Sequence, residues 1–213
     1  IEEMFNYFVT QIYISNNDWM PGNTRRWRPI EDGGRWRWIM FGTEFSQSLY
    51  GNYTSNNRLN HAISSEPMLG AILKYPKFQE KFITKFFVHC ATTFKYENVN
   101  ATLDSLIHNI EDEVEFYINH LIENKLGIEQ DFDKDIAPIK SFWENRPKYM
   151  YRHLVSKFKM DTVKMHIHSN IENSSYLLNE EPILVADYNG YFFDSLHCNI
   201  IANDVKGYKF DHW

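Results

Sequence analysis

Between Phe78 and Phe94 the apolar residues return every fourth position: Phe78, Phe82, Phe86, Cys90 and Phe94, with Ile83 and Phe87 beside them. That period fits one side of an α-helix and excludes a strand, whose side chains repeat every second residue. A helix of about four turns with so many rings on one side has to be buried. The stripe is therefore read as core packing rather than as a ligand site, and the rest of the chain must supply the core. With 213 residues, 43% hydrophobic and 23% charged, it can build one good-sized domain, or one with a small appendage, and disorder is not the default.

Upstream, Ile1, Met4, Phe5, Phe8 and Ile12 recur at helical spacing and predict a helix over residues 1–13. Arg26-Trp27-Arg28 and Arg35-Trp36-Arg37-Trp38 flank Gly33-Gly34, a hairpin pattern with the arginines on one face and the tryptophans on the other. An arginine face can clamp phosphate. The favoured reading is a solvated face whose arginine stems cover the indoles. Residues 46–64 are polar, Asn/Ser-rich and aperiodic, and read as a long loop. From Glu66 the chain turns helical.

Val99, Leu103, Leu106, Ile110, Val114, Tyr117 and Leu121 predict one long helix, with Gly127 placed to end it. Glu111, Asp112, Glu113 and Glu115 along it read as a solvated acidic face. Asp135-Ile136-Ala137-Pro138 looks like a helix start, and Asn145-Arg146-Pro147 like a stop followed by a new helix carrying Met150, Leu154 and Phe158 inward.

The pattern changes at Met160. Val163, Met165 and Ile167 alternate with Lys164, His166 and His168; Asn189-Gly190 reads as a tight hairpin turn; Leu196, Cys198, Ile200 and Ala202 alternate again. The expected fold class is α+β, with residues 1–160 mostly helical and 161–213 a small all-β module that packs against them, because it is too small to stand alone. Cys90 and Cys198 are expected to be buried free thiols, since no zinc-type spacing is present. His166 and His168 point the same way and can share a metal. Without a third ligand, an exposed strand face is the expectation.

A net charge of −6 argues against a nucleic-acid partner, which needs a basic face. No run of about 18 apolar residues is present, so no transmembrane segment is expected. The chain opens on Ile1 inside a helix pattern, as a piece of a longer protein would, and any leader or anchor is expected upstream.

The stretch Asn16-Asn17-Asp18-Trp19-Met20-Pro21-Gly22-Asn23 carries the candidate chemistry. Asp18 and Asn23 have the D-x-x-x-x-N spacing of a kinase catalytic loop, and Glu44 follows the hairpin. In phosphoryl transfer such an acid orients or deprotonates a hydroxyl, while the amide and a second acid hold a phosphate-bridging metal. Plain turn chemistry explains the same residue types.

Several longer motifs narrow the choice. NYFVTQIYISNNDWMPGN (residues 6–23) and GRWRWIMF (34–41) resemble the catalytic-loop region of the CotH-type atypical kinases, the spore coat protein H family. PKFQEKF (76–82) and FWENRP (142–147) resemble that family's helical half, and the terminal GYKFDHW (207–213) its small β module. The resemblance implies a kinase-like C-lobe, ATP with Mg2+ as cofactors, and transfer of the γ-phosphoryl to Ser/Thr of exported proteins. It also implies an extracytoplasmic or cell-surface setting in a bacterium, and a protein substrate or surface partner. Asp18 matches the catalytic acid and Asn23 the metal-binding, nucleotide-site amide. Where the family has acid-x-acid, the chain reads Gly42-Thr43-Glu44, so Glu44 is the metal ligand that remains. The nucleotide-gripping lobe with its lysine would precede Ile1. The missing acid leaves a second reading open, a catalytically degraded domain serving as a binding or structural module.

Overall fold

The computed structural model describes residues 1–20, 22–124 and 132–213, an α+β arrangement with helices and one β-hairpin up to Phe158 and antiparallel strands after it. At its centre is the helix expected from the aromatic period, Pro76–Ala91 (α4), begun by a proline whose missing N–H costs nothing in a first turn. Phe82 meets Phe5 of α1 (Glu2–Tyr13) edge-on, centroids 5.2 Å apart. Phe87 packs on the strands instead, 4.9 Å from Phe193 and 5.7 Å from Phe192. One continuous core thus joins both parts of the chain. A buried ion pair crosses the same junction: Lys85 Nζ lies 2.7 Å from a Glu181 carboxylate oxygen, their side chains only 5% and 6% exposed. Losing either partner would strand the other charge in the core.

β3 (Thr162–His168) pairs with β6 (Asp187–Phe193) over seven residues, and β4 (Tyr176–Leu178) lies between β5 (Glu181–Ile183) and β7 (Ile200–Ala202). The change of pattern near Met160 coincides with the step from α7, which ends at Phe158, to β3.

Several local expectations are corrected. Asn189-Gly190 is not a turn but lies inside β6, opposite His166 and Met165. A Cβ on Gly190 would stand 2.8 Å from the Ala91 Cβ and 2.7 Å from the Tyr188 hydroxyl, so the glycine is there to let α4 approach the sheet. Residues 46–64 are not all loop. Asn57 accepts a bond from the Asn60 N–H (3.1 Å) and caps α2 (Arg58–Ser65), which buries Leu59 and Ala62; α3 (Pro67–Ile72) follows. The polar composition concealed a capping residue and a short buried face. The single long helix is two, α5 (Tyr96–His108) and α6 (Glu111–Glu123). Neither packs deeply, α5 burying no residue and α6 only Leu121, so a shared period did not force continuity across Asn109-Ile110. The acidic run on α6 is solvated as expected; Gly127 lies outside the described residues.

Conversely, the two helices expected around Asn145-Arg146-Pro147 are one, α7 (Phe132–Phe158), running through Pro138 and Pro147. Its buried residues Phe142, Trp143, Arg146, Met150 and Leu154 keep one face on both sides of Pro147, and that burial outweighs the lost hydrogen bond. In the hairpin, β1 (Arg25–Trp27) and β2 (Arg37–Ile39) pair Arg26 with Trp38 and Trp27 with Arg37. The register mixes the expected arginine and tryptophan faces, and the guanidiniums of Arg26 and Arg28 lie over the Trp36 ring at 5.8 and 5.4 Å. Cys90 is buried, but Cys198 is exposed because β7 begins only at Ile200.

Arg146 is fully buried. Its Nε donates to Tyr13 O and its Nη2 to Ile12 O, both at 2.8 Å; Nη1 donates to Thr54 O at 2.7 Å and Asn56 O at 2.9 Å. Burial pulls its pKa down to about 10, which still leaves it charged at neutral pH. The last carbonyls of α1 are a natural seat for that charge. Arg146→Ala should destabilise the protein by about 3–5 kcal/mol in urea denaturation, since the carbonyls lose their partner and a cavity remains. Arg146→Lys should recover only a part, because one ammonium cannot span both sets of carbonyls.

His89 on α4 makes stability depend on pH. Burial, then the nearby Lys85 ammonium, pushes it from the ordinary 6.5 down to about 4. The folded state therefore holds this proton less tightly than the unfolded one. Its contribution is complete above pH 6.5 and is lost as pH falls through about 4. Melting temperature should drop over that interval, and His89→Gln should make the drop shallower. An identical slope for both proteins would refute this.

Candidate functional site

The site begins where α1 ends. Ser15 takes a left-handed backbone (φ 55°), and the chain turns into Asn16 and Asn17. Trp19 then plugs back into the core, 1% exposed, with its ring 5.5 Å from Phe8 and 6.0 Å from Tyr7. Anchoring Trp19 holds its neighbour Asp18 at the surface. The Asn23 N–H donates to Trp19 O at 3.0 Å and closes the loop.

Within that loop Asp18 and Asn23 touch. Asn23 Nδ2 donates to the Asp18 Oδ2 and to the Asp18 carbonyl, both at 2.7 Å. The amide nitrogen is thereby used, while Asn23 Oδ1 accepts no hydrogen bond among the described residues. The segment after β2 lies alongside: the Asn17 N–H donates to Phe45 O at 3.0 Å and the Gln47 N–H to Ile14 O at 2.9 Å. Gly42 sits next to Asn23, since a Cβ on it would stand 3.6 Å from Asn23 Nδ2. Glu44, two residues on, is exposed and makes no hydrogen bond or ion pair among the described residues. Asp18 and Asn23 are thus in direct contact, and Glu44 is carried on a segment bonded to the same loop.

Two residues that sequence reasoning did not single out hold these pieces together. Asn16, 1% exposed, donates through Nδ2 to Gly42 O at 2.8 Å and to Gln11 Oε1 at 3.0 Å, and its Oδ1 accepts the Asp18 N–H at 3.0 Å. Gln11 is fully buried and donates to the Tyr7 hydroxyl at 3.4 Å. The available signal was Gln11 itself, a polar residue three after Phe8 and one before Ile12 on an apolar helix face. A buried amide needs partners, and the next polar loop had to provide one.

Comparison with protein families shows that residues 1–150 match the family described as CotH kinase protein. The chain belongs to that family. The match takes in both segments of the candidate site and α4, and it ends within α7, before β3. Comparisons with curated proteins and with solved structures give no match. The matched span contains Asp18, Asn23, Gly42 and Glu44.

Asn16→Ala would leave Gly42 O, Gln11 Oε1 and the Asp18 N–H without their partner. It should cost about 1–3 kcal/mol and speed amide hydrogen exchange at Asp18. Unchanged exchange there would show that Asn16 does not hold the loop.

Proposed function

We propose that this CotH-family chain carries the hydroxyl-orienting and metal-binding residues of an ATP-dependent protein Ser/Thr kinase. The observation that supports it most is the Asn23 Nδ2–Asp18 Oδ2 bond of 2.7 Å. It fixes the carboxylate while leaving the amide oxygen available. Asp18 would accept a hydrogen bond from the acceptor Ser/Thr hydroxyl and take its proton as the oxygen attacks. Asn23 Oδ1 and the exposed Glu44 carboxylate would hold Mg2+, and a set made only of oxygen donors suits that hard cation. Bound ATP–Mg2+ would supply the phosphoryl group and neutralise its charge. Family resemblance points to exported proteins as acceptors.

Gly42 favours a second reading, a non-catalytic binding module. Its φ is +61°, in the region that favours glycine, so the backbone is not shaped for the acid found there in the family pattern. Space alone would allow a side chain, since a Cβ meets only Asn23 within 4 Å.

The two readings separate in one assay, run on the full-length protein. With ATP, Mg2+ and Ser/Thr-containing protein acceptors, Asp18→Asn should cut transfer by about a hundredfold or more. Its melting temperature should stay unchanged, because Asp18 is exposed. Glu44→Asp should change the Mg2+ dependence. Absence of transfer in the unsubstituted protein, at a level no higher than in Asp18→Asn, would support the binding module.

A further inference from the structure

We propose that His166, His168 and Asp187 form a binding site for a divalent transition-metal ion, with Zn2+ the best fit. Residues two apart on a strand share a face, so His166 and His168 both stand on one side of β3. The strand register supplies the third ligand, which neither histidine reveals in the sequence. Asp187 lies directly across from His168 on β6 and diagonally from His166. Its Oδ1 is 2.8 Å from His166 Nε2, and its Oδ2 is 3.7 Å from His168 Nδ1. The candidate ligand atoms all lie within 4.8 Å of one another. Tetrahedral Zn2+ with bonds near 2.0 Å needs ligand atoms about 3.3 Å apart, so small side-chain rotations close the set. Among the described residues this is the one place where three such groups converge.

Two imidazoles and a carboxylate match the ligand types of open zinc sites, with water in the fourth position. First-row metals of the copper and zinc end bind such nitrogen-rich sets more tightly than Mg2+ or Ca2+. The strands hold the ligands in register, because the opposite face carries Ile167 and Tyr188, both buried. The three ligands are 59%, 63% and 61% exposed, so metal can enter without unfolding. What metal has to displace is an exposed His166–Asp187 hydrogen bond, a weak competitor. His168 also lines a cavity of about 480 Å³ together with His212 and Trp213, which leaves room for water or a small ligand beside the ion. The site is independent of the phosphoryl-transfer reading, for it shares no residue with Asp18, Asn23 or Glu44.

The test is calorimetric titration of the untagged protein with ZnCl2 at neutral pH, joined by the visible absorption of its Co2+ form. One ion should bind per chain in the micromolar range. The His166→Ala/His168→Ala protein should lose that binding and the cobalt bands, and Asp187→Asn should weaken it by at least about tenfold. Circular dichroism should show each variant folded. His108→Ala is the control: His108 is more exposed and 2.7 Å from Glu111, but has no third ligand among the described residues, and its loss should leave the affinity unchanged. Absence of micromolar binding, or binding that survives the double substitution, would overturn the assignment.

Discussion

A buried guanidinium bonded to four backbone carbonyls is the constraint on which the helical part of this protein depends. Arg146 brings together the end of α1, the turn at Thr54–Asn56 and the middle of α7, three pieces far apart in sequence. Its charge would be costly in a core if its hydrogen-bonding capacity were unfilled. Here four of its five donors are engaged, two by the carbonyl-rich end of α1, where a positive charge is favoured. The same contact sets where α1 stops, and the candidate site starts three residues beyond Tyr13, at Asn16.

The second organising element is α4, which is buried from Phe82 to Val88 because it has neighbours in both parts of the chain. Its rings pack against α1 and against β6, and Lys85 reaches Glu181 on β5. Hydrophobic contact sets the association, whereas the buried ion pair and the close approach at Gly190 set how the sheet lies on the helix. The strands are therefore not a tethered appendage.

The site is assembled on this frame by a relay of side-chain amides. Gln11 hands off to Asn16, and Asn16 binds both the Asp18 turn and the segment after the hairpin. Catalysis by positioning requires such support, because groups that surround a phosphate act only when held together. The chain belongs to the CotH family, and the matched residues 1–150 hold all of these pieces.

The sequence by itself determined the helix through Phe82 and Phe86, the helix that leads into the site, the alternation after Met160 and the spacing of Asp18 and Asn23. Each is a local period or a local motif, and local geometry suffices to read it. Tertiary structure decided what period cannot carry. Continuity through Pro147 followed from a face buried on both sides of the proline, and the break at Asn109-Ile110 from the lack of such burial. Asn189-Gly190 reads as a turn until α4 is laid against it. The partners of Asn16, the seat of Arg146 and the placing of Asp187 beside two histidines all join residues remote in sequence. Such contacts depend on which elements meet and in what register, and one-dimensional patterning records neither.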